Sequence, residues 1–174
     1  MLENAPMTDR IITARPLTRE AFAPFGDVIE TEGAASFPIN GGRCQRFHDL
    51  AKVEATGPNA RVLISLFKGT PYTFPLQLSM VERHPFGSQA FVPLSAAPFL
   101  VIVCPDAPDG PGEPQAFLTR PGQGVNYPPN RWHGVLTPIG ADQDFVVIDR
   151  GGDGSNLEEF HFSHPYEIHL PQHP

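Results

Sequence analysis

Five stretches of this sequence carry groups able to move a proton, grip an anion or hold a metal. In LQLSMVERH (76–84), Glu82 and His84 share parity with Leu76, Leu78 and Met80. Side chains alternate between faces along a strand, so if the leucines face a core, the carboxylate and the imidazole follow them inwards. There each must be paired, hydrogen-bonded or bound to a metal or ligand. The other reading is that the strand ends or bulges near Glu82 and leaves both in water. After the turn HPFGS, Gln89 shares a face with Phe91 and can fold back towards His84. In CQRFHDL (44–50), Arg46 and His48 share a face with Asp49 opposite, and a guanidinium can take a carboxylate in a two-pronged grip. In DFVVIDRGG (144–152), Asp149 continues the face of Phe145 and Val147 while Arg150 takes the other. Those two could equally form a salt bridge at a rim. In GQGVNYPPNRWHGV (122–135), His133 follows two prolines, each of which fixes φ and restricts the residue before it. Such a lead-in pre-positions the imidazole, which with His84 suits proton transfer or ligation of a divalent ion.

These groups need a scaffold, and the composition narrows it. The 174 residues include 21 prolines and 16 glycines spread along the chain, which makes long helices hard to place. The best helix is short, LTREAFAPFG, with Thr18 as its cap and Pro24 and Gly26 as its stop. Strands are expected at 61–69, 76–84, 88–94, 99–105, 114–120 and 144–150, with weaker ones near Asp27 to Glu30 and Cys44 to Leu50. Many short strands punctuated by Gly and Pro imply a mainly β sandwich or barrel with a short N-terminal helix. PDAPDGPGEP (105–114) reads as an exposed loop within one domain, because the same pattern resumes after it.

A net charge of −7 with scattered arginines argues against a nucleic-acid role. The N-terminus lacks the apolar run of a secretory signal and no segment has the length of a membrane helix, so a soluble, cytoplasmic protein is expected. Cys44 and Cys104 stand 60 positions apart and read as small buried hydrophobes. The tail after residue 160, with His161, His164, His169 and His173, reads as a solvated or interface extension.

Taken together, ERHPFGSQAFVPL (82–94) and GQGVNYPPNRWHGV (122–135), with FHDLA (47–51) before and DFVVIDRGG (144–152) after, closely resemble the ureidoglycolate lyase family, formerly called ureidoglycolate hydrolases. The likeness runs from about 16 to about 160, leaving 1–10 and 161–174 as terminal extensions. It implies a cupin-like β-barrel, a homodimer, and cleavage of ureidoglycolate, an intermediate of allantoin and purine catabolism, into glyoxylate and urea. ERHPFGSQAF stands where cupins carry their first metal motif and NRWH where they carry the second. The usual His-x-His pair is Glu82-x-His84 here, many members have a second His where this chain has Gly134, and Pro128-Pro129 replaces a basic or polar pair.

Under this resemblance His84, His133 and Glu82 are the catalytic candidates. Arg46, His48, Gln89, Asn126, Asp149 and Arg150 are the substrate-binding ones, with Arg46 as first choice for the carboxylate. A divalent ion (Ni, Mn, Fe or Zn) on His84, Gln89 and His133 is an open expectation. Two other readings stand beside it: a metal-dependent cupin isomerase or dioxygenase, and a non-catalytic barrel that binds a small carboxylic acid.

Overall fold

The computed structural model describes residues 10–172. Prolines leave room for one short α-helix and a single 3-10 turn at Asn40–Gly42, and all the other regular structure is strand. In chain order these are β1 (Ile11–Thr13), β2 (Arg15–Pro16), α1 (Arg19–Phe22), β3 (Asp27–Ile29), β4 (Ser36–Ile39), β5 (Cys44–Phe47), β6 (Arg61–Gly69), β7 (Leu76–Arg83) and β8 (Gln89–Pro93). There follow β9 (Phe99–Cys104), β10 (Asp106–Ala107), β11 (Gly110–Pro111), β12 (Gln115–Leu118), β13 (Gly124–Tyr127), β14 (Trp132–His133), β15 (Thr137–Pro138), β16 (Gln143–Gly151) and β17 (Glu158–His169). Thr18 caps α1 as its hydroxyl accepts from the Ala21 N–H at 3.1 Å.

Two sheets hold the molecule together. The larger runs β1-β17-β7-β14-β9-β12-β2 with β15 also on β9, and the smaller runs β3-β13-β8-β16-β6. The β4–β5 and β10–β11 hairpins each pair only internally. One core draws on both sheets and α1: Phe22, Phe91, Phe99, Val101, Val103, Phe117, Val125, Phe145 and Val147 are all buried in it. A second core draws on the larger sheet, where Leu78, Val81, Leu100, Ile102, Cys104, Trp132 and Ile168 meet. β9 explains the pair, since its odd residues enter the first core and its even ones the second. That is why FLVIVC reads as an unbroken apolar run. The result is a mainly β, barrel-like fold of the cupin kind.

Three sequence expectations need correction. The stretch from 161 is not a solvated extension: β17 continues to His169, paired with β7 and β1, because Phe160, Phe162, Tyr166 and Ile168 present one apolar face to the second core. His173 lies outside the described residues. Cys44 is exposed on the β5 hairpin, and only Cys104 is buried. The facing of β7 also differs. Leu76 and Leu78 pack in the second core, yet so does Val81, of opposite parity. A register shift between His161 and Tyr166 of β17, across from Ser79, reverses the strand's facing and turns Glu82 to the side opposite Val81.

Candidate active site

His133 lies directly across from Glu82 of β7 and Val103 of β9, and so shares the inter-sheet face with both. The turn before it is tied to the end of β7, because the Asn130 N–H donates to the His84 carbonyl at 2.9 Å and Arg131 N closes on the Pro128 carbonyl at 3.3 Å. The two prolines thus set His133 beside His84, with ring centroids 5.2 Å apart. On its far side His133 stacks flat on Tyr127 of β13, at 4.2 Å and an interplanar angle of 1°. β8 and β16 supply the other wall. Gln89 follows the face of Phe91, and Asp149 follows that of Phe145 and Val147. Glu82, His84, Gln89, Asp149, Arg150 and Asn156 line one cleft of about 340 Å³. A larger open groove of about 580 Å³ beside Arg15 and Glu113 contains none of these groups, and chemistry rather than size selects the smaller cleft.

Both imidazoles are held by the same atom. His84 Nδ1–H donates to the Asn156 carbonyl at 2.7 Å, and His133 Nδ1–H to the Gly134 carbonyl at 3.0 Å. A carbonyl can only accept, so each ring in its neutral form leaves a lone pair on Nε2. Neither Nε2 has a hydrogen-bond partner among the described residues, nor has Gln89 Oε1 or Asp149 Oδ1. Glu82 Oε1 lies 3.8 Å from His84 Nε2. Glu82, His84 and His133 each offer a ligand atom within 4.8 Å of the others. Two imidazoles pinned at Nδ1 and a carboxylate, all buried or half-buried, fit a divalent transition metal.

Burial sets the protonation of this cluster. It pushes the His133 imidazole down to about 3, against a weaker opposite pull from the Gly134 carbonyl, so the ring is neutral at pH 7. Desolvation raises Glu82 above the usual carboxylate range, an effect that the neighbouring His84 opposes. It raises Asp149 as well, against the Gln89 amide beside it. The Tyr127 hydroxyl is raised by burial first and by the Glu82 charge second, and stays protonated.

A pH dependence of stability follows. An unfolded His133 binds a proton near pH 6.5 and the folded one does not until about 3, so its contribution is complete above 6.5 and is lost as pH falls towards 3. The two raised carboxylates act in the opposite sense. In chelated protein, His133→Gln is expected to flatten the decline in urea midpoint between pH 7 and pH 4. Parallel pH profiles for parent and variant would contradict this assignment.

The structure does not bring every candidate to the cleft. Asn126 is buried but shares the outer face with Ala90, and its Nδ2 donates to Asp27 Oδ2 at 3.0 Å and the Lys52 carbonyl at 3.1 Å. It braces the 52–56 segment against β13. Arg46 and His48 are exposed on the β4–β5 hairpin and at its end, both against Phe37. Arg150 reaches the cleft wall, but its Nε and Nη2 donate to the carbonyls of Thr56, Pro58 and Asp153. His161 and His169 pair with Glu159 and Glu167 on β17. Tyr127 and Asn156 have no place in the sequence reading. An aromatic closing a strand whose Val125 faces inward is a signal for the first, whereas a backbone carbonyl has none. At Gly134 a Cβ would make a tight contact, 3.1 Å from the Cβ of Ile102.

Comparison with known proteins identifies the family. The family described as Ureidoglycolate lyase matches residues 9–169. A Ureidoglycolate lyase of Mesorhizobium japonicum is 74% identical over 160 residues, covering 92% of this chain and 98% of the relative. One from Chelativorans sp. is 68% identical over 163 residues, 94% of this chain and 99% of the relative. One from Brucella ovis is 54% identical over 162 residues, 92% and 96%. With its fold and these relatives in view, the chain belongs to the ureidoglycolate lyase family.

Proposed function

We propose that this protein is a ureidoglycolate lyase that releases glyoxylate and urea, working as one cupin-like domain in a cytoplasmic homodimer. The observation that carries the reading is a small cleft lined by the Nδ1-pinned His84 and two desolvated carboxylates, Glu82 and Asp149, with the buried, Nδ1-pinned His133 directly behind it, its ring centroid 5.2 Å from that of His84. No helix among the described residues is long and apolar enough to cross a membrane.

Elimination moves one proton. The hydroxyl of ureidoglycolate loses its hydrogen, the oxygen's electron pair forms the carbonyl of glyoxylate, and the C–N bonding pair leaves with the urea nitrogen, which needs a proton. The hydrogen removed is therefore the one required, and a single carboxyl group can carry it across. Asp149 suits that task because burial raises it towards the working pH, where an acid–base group is most effective. Gln89, whose amide lies beside it, orients the carboxylate and leaves its own Oε1 to accept from ureido N–H groups. His133, lowered to about 3, is too weak a base for that step and offers a lone pair instead. We assign His84, His133 and Glu82 to hold a divalent ion, with Ni, Mn, Fe and Zn as its candidates. An ion held there would supply positive charge against the substrate carboxylate and Lewis acidity at the hydroxyl oxygen. Arg46, His48, Asn126 and Arg150 take no part in this chemistry.

The deciding experiment is the release of glyoxylate and urea from ureidoglycolate, against a no-enzyme control because the substrate decays unaided. The two products are expected in equal amounts and in step. Chelation is expected to lower the rate, divalent ions to restore it, and His133→Gln not to respond to their return. No acceleration under any metal condition would refute the lyase, and full activity after exhaustive chelation would remove the ion from it.

A further inference from the structure

We propose that Asn156, in the loop between β16 and β17, is the positioning residue of His84. It touches neither substrate nor ion. Its role is to decide which nitrogen of His84 faces the cleft and how firmly.

Asn156 binds the same turn at two points. Its backbone carbonyl accepts from His84 Nδ1–H at 2.7 Å, and its side-chain Oδ1 accepts from the Phe86 N–H at 2.7 Å. Both bonds link residues some 70 positions apart in sequence, so they form only once β16 and β17 are in place. The first fixes the tautomer, since a proton on Nδ1 leaves Nε2 with a lone pair when the ring is neutral. The second matters because of where the carbonyl sits. The loop reads Gly151-Gly152-Asp153-Gly154-Ser155-Asn156, and Gly152 and Gly154 adopt φ of 150° and 80°, conformations that cost glycine little. The start of the loop is tied down through Arg150 to the Asp153 carbonyl and through Asp153 N to the Pro58 carbonyl. Beyond Gly154 the loop is fastened at two points, by the Asn156 side chain to the His84 turn and by Glu158, which pairs with Arg83 and accepts from its Nε at 2.6 Å. His133 needs no such fastener, because its own neighbour Gly134 supplies the carbonyl and Tyr127 clamps the ring.

The consequence is an asymmetry between the two imidazoles. The His133 ring is held by its own neighbour's carbonyl and by the core, and the His84 ring by a carbonyl of a glycine-rich loop that the Asn156 amide fastens to the same turn. Losing that amide frees the carbonyl to drift and lets His84 present Nε2–H to the cleft part of the time, an N–H that can neither accept a proton nor bind an ion.

The inference rests on the reading of His84 as part of the site, and its test has readouts apart from turnover. In metal-free protein, the ¹⁵N chemical shifts of the two His84 ring nitrogens report the tautomer. The parent is expected to show the Nδ1–H form, Asn156→Ala a mixture, and Asn156→Asp, which keeps an acceptor for Phe86 N–H, the parent pattern. Calorimetric titration with Ni²⁺ is expected to weaken about 10–100-fold in Asn156→Ala, as for other partners that orient a ligating histidine, and to recover in Asn156→Asp. An Nε2–H tautomer in the parent overturns the proposal even if the Ala variant fails to fold. So does an Ala variant with the parent tautomer and parent affinity. Absence of ureidoglycolate cleavage by the parent would count against the lyase alone and leave these two results to judge Asn156.

Discussion

Replacing Asp149 by Asn is expected to lower kcat by about 10²–10⁴-fold, the range for removing a positioned acid or base, with the melting temperature little changed. The substitution is close to isosteric, and the site it enters is already half-shielded at the inner end of β16. Asn can still meet the Gln89 amide but cannot take the hydroxyl proton. The pH profile offers a second check. The carboxyl is raised by desolvation, so in the parent kcat should rise with pH through a value above the ordinary Asp range, and the variant's residual rate should lack that rise. A variant that keeps parental kcat would remove Asp149 from the proton transfer.

What the sequence revealed about this site depends on how each side chain is placed. Gln89 and Asp149 were legible because β8 and β16 keep strict alternation, and the apolar residues on their faces belong to the inter-sheet core. Glu82 and His84 turn towards the cleft, but not for the reason that alternation offers. β7 changes facing between Leu78 and Val81, where its register with β17 shifts, and no pattern within 76–84 announces a shift that depends on the partner strand. β17 itself was hidden by reading four histidines as a tail, although its even-numbered aromatics and Ile168 carried the apolar alternation. Asn126 shows the limit of type-based reasoning. An amide near His133 looks like a substrate contact, yet its parity sends it outwards to Asp27 and Lys52. Tyr127 and Asn156 act through a stacked ring and a backbone carbonyl, and such roles appear only when distant strands meet.

Arg150 turns the same distinction into a stability prediction. Read from the sequence, it is a cation in a cleft that binds a carboxylate. In the structure it is buried, and its guanidinium is occupied: Nε donates to the Thr56 carbonyl at 3.0 Å, Nη2 to those of Pro58 at 3.2 Å and Asp153 at 3.0 Å, with the Phe86 ring 5.2 Å away. The surroundings are shaped to it, since a Cβ at Gly87 would fall 2.3 Å from the Arg150 Cβ and one at Gly152 2.5 Å from its Nη2. Arg150→Met keeps the aliphatic stem and removes three charge-assisted bonds, each worth about 1.5–3 kcal/mol in such settings. Allowing for relaxation and water entry, a loss on the order of 4 kcal/mol follows, which for a chain of this length lowers Tm by about 8–16 °C. Below the transition, KM for ureidoglycolate should stay within a few-fold of the parent. A substrate clamp would give the opposite pattern, a large rise in KM with Tm nearly unchanged, and thermal melts run beside steady-state kinetics on the one variant decide between them.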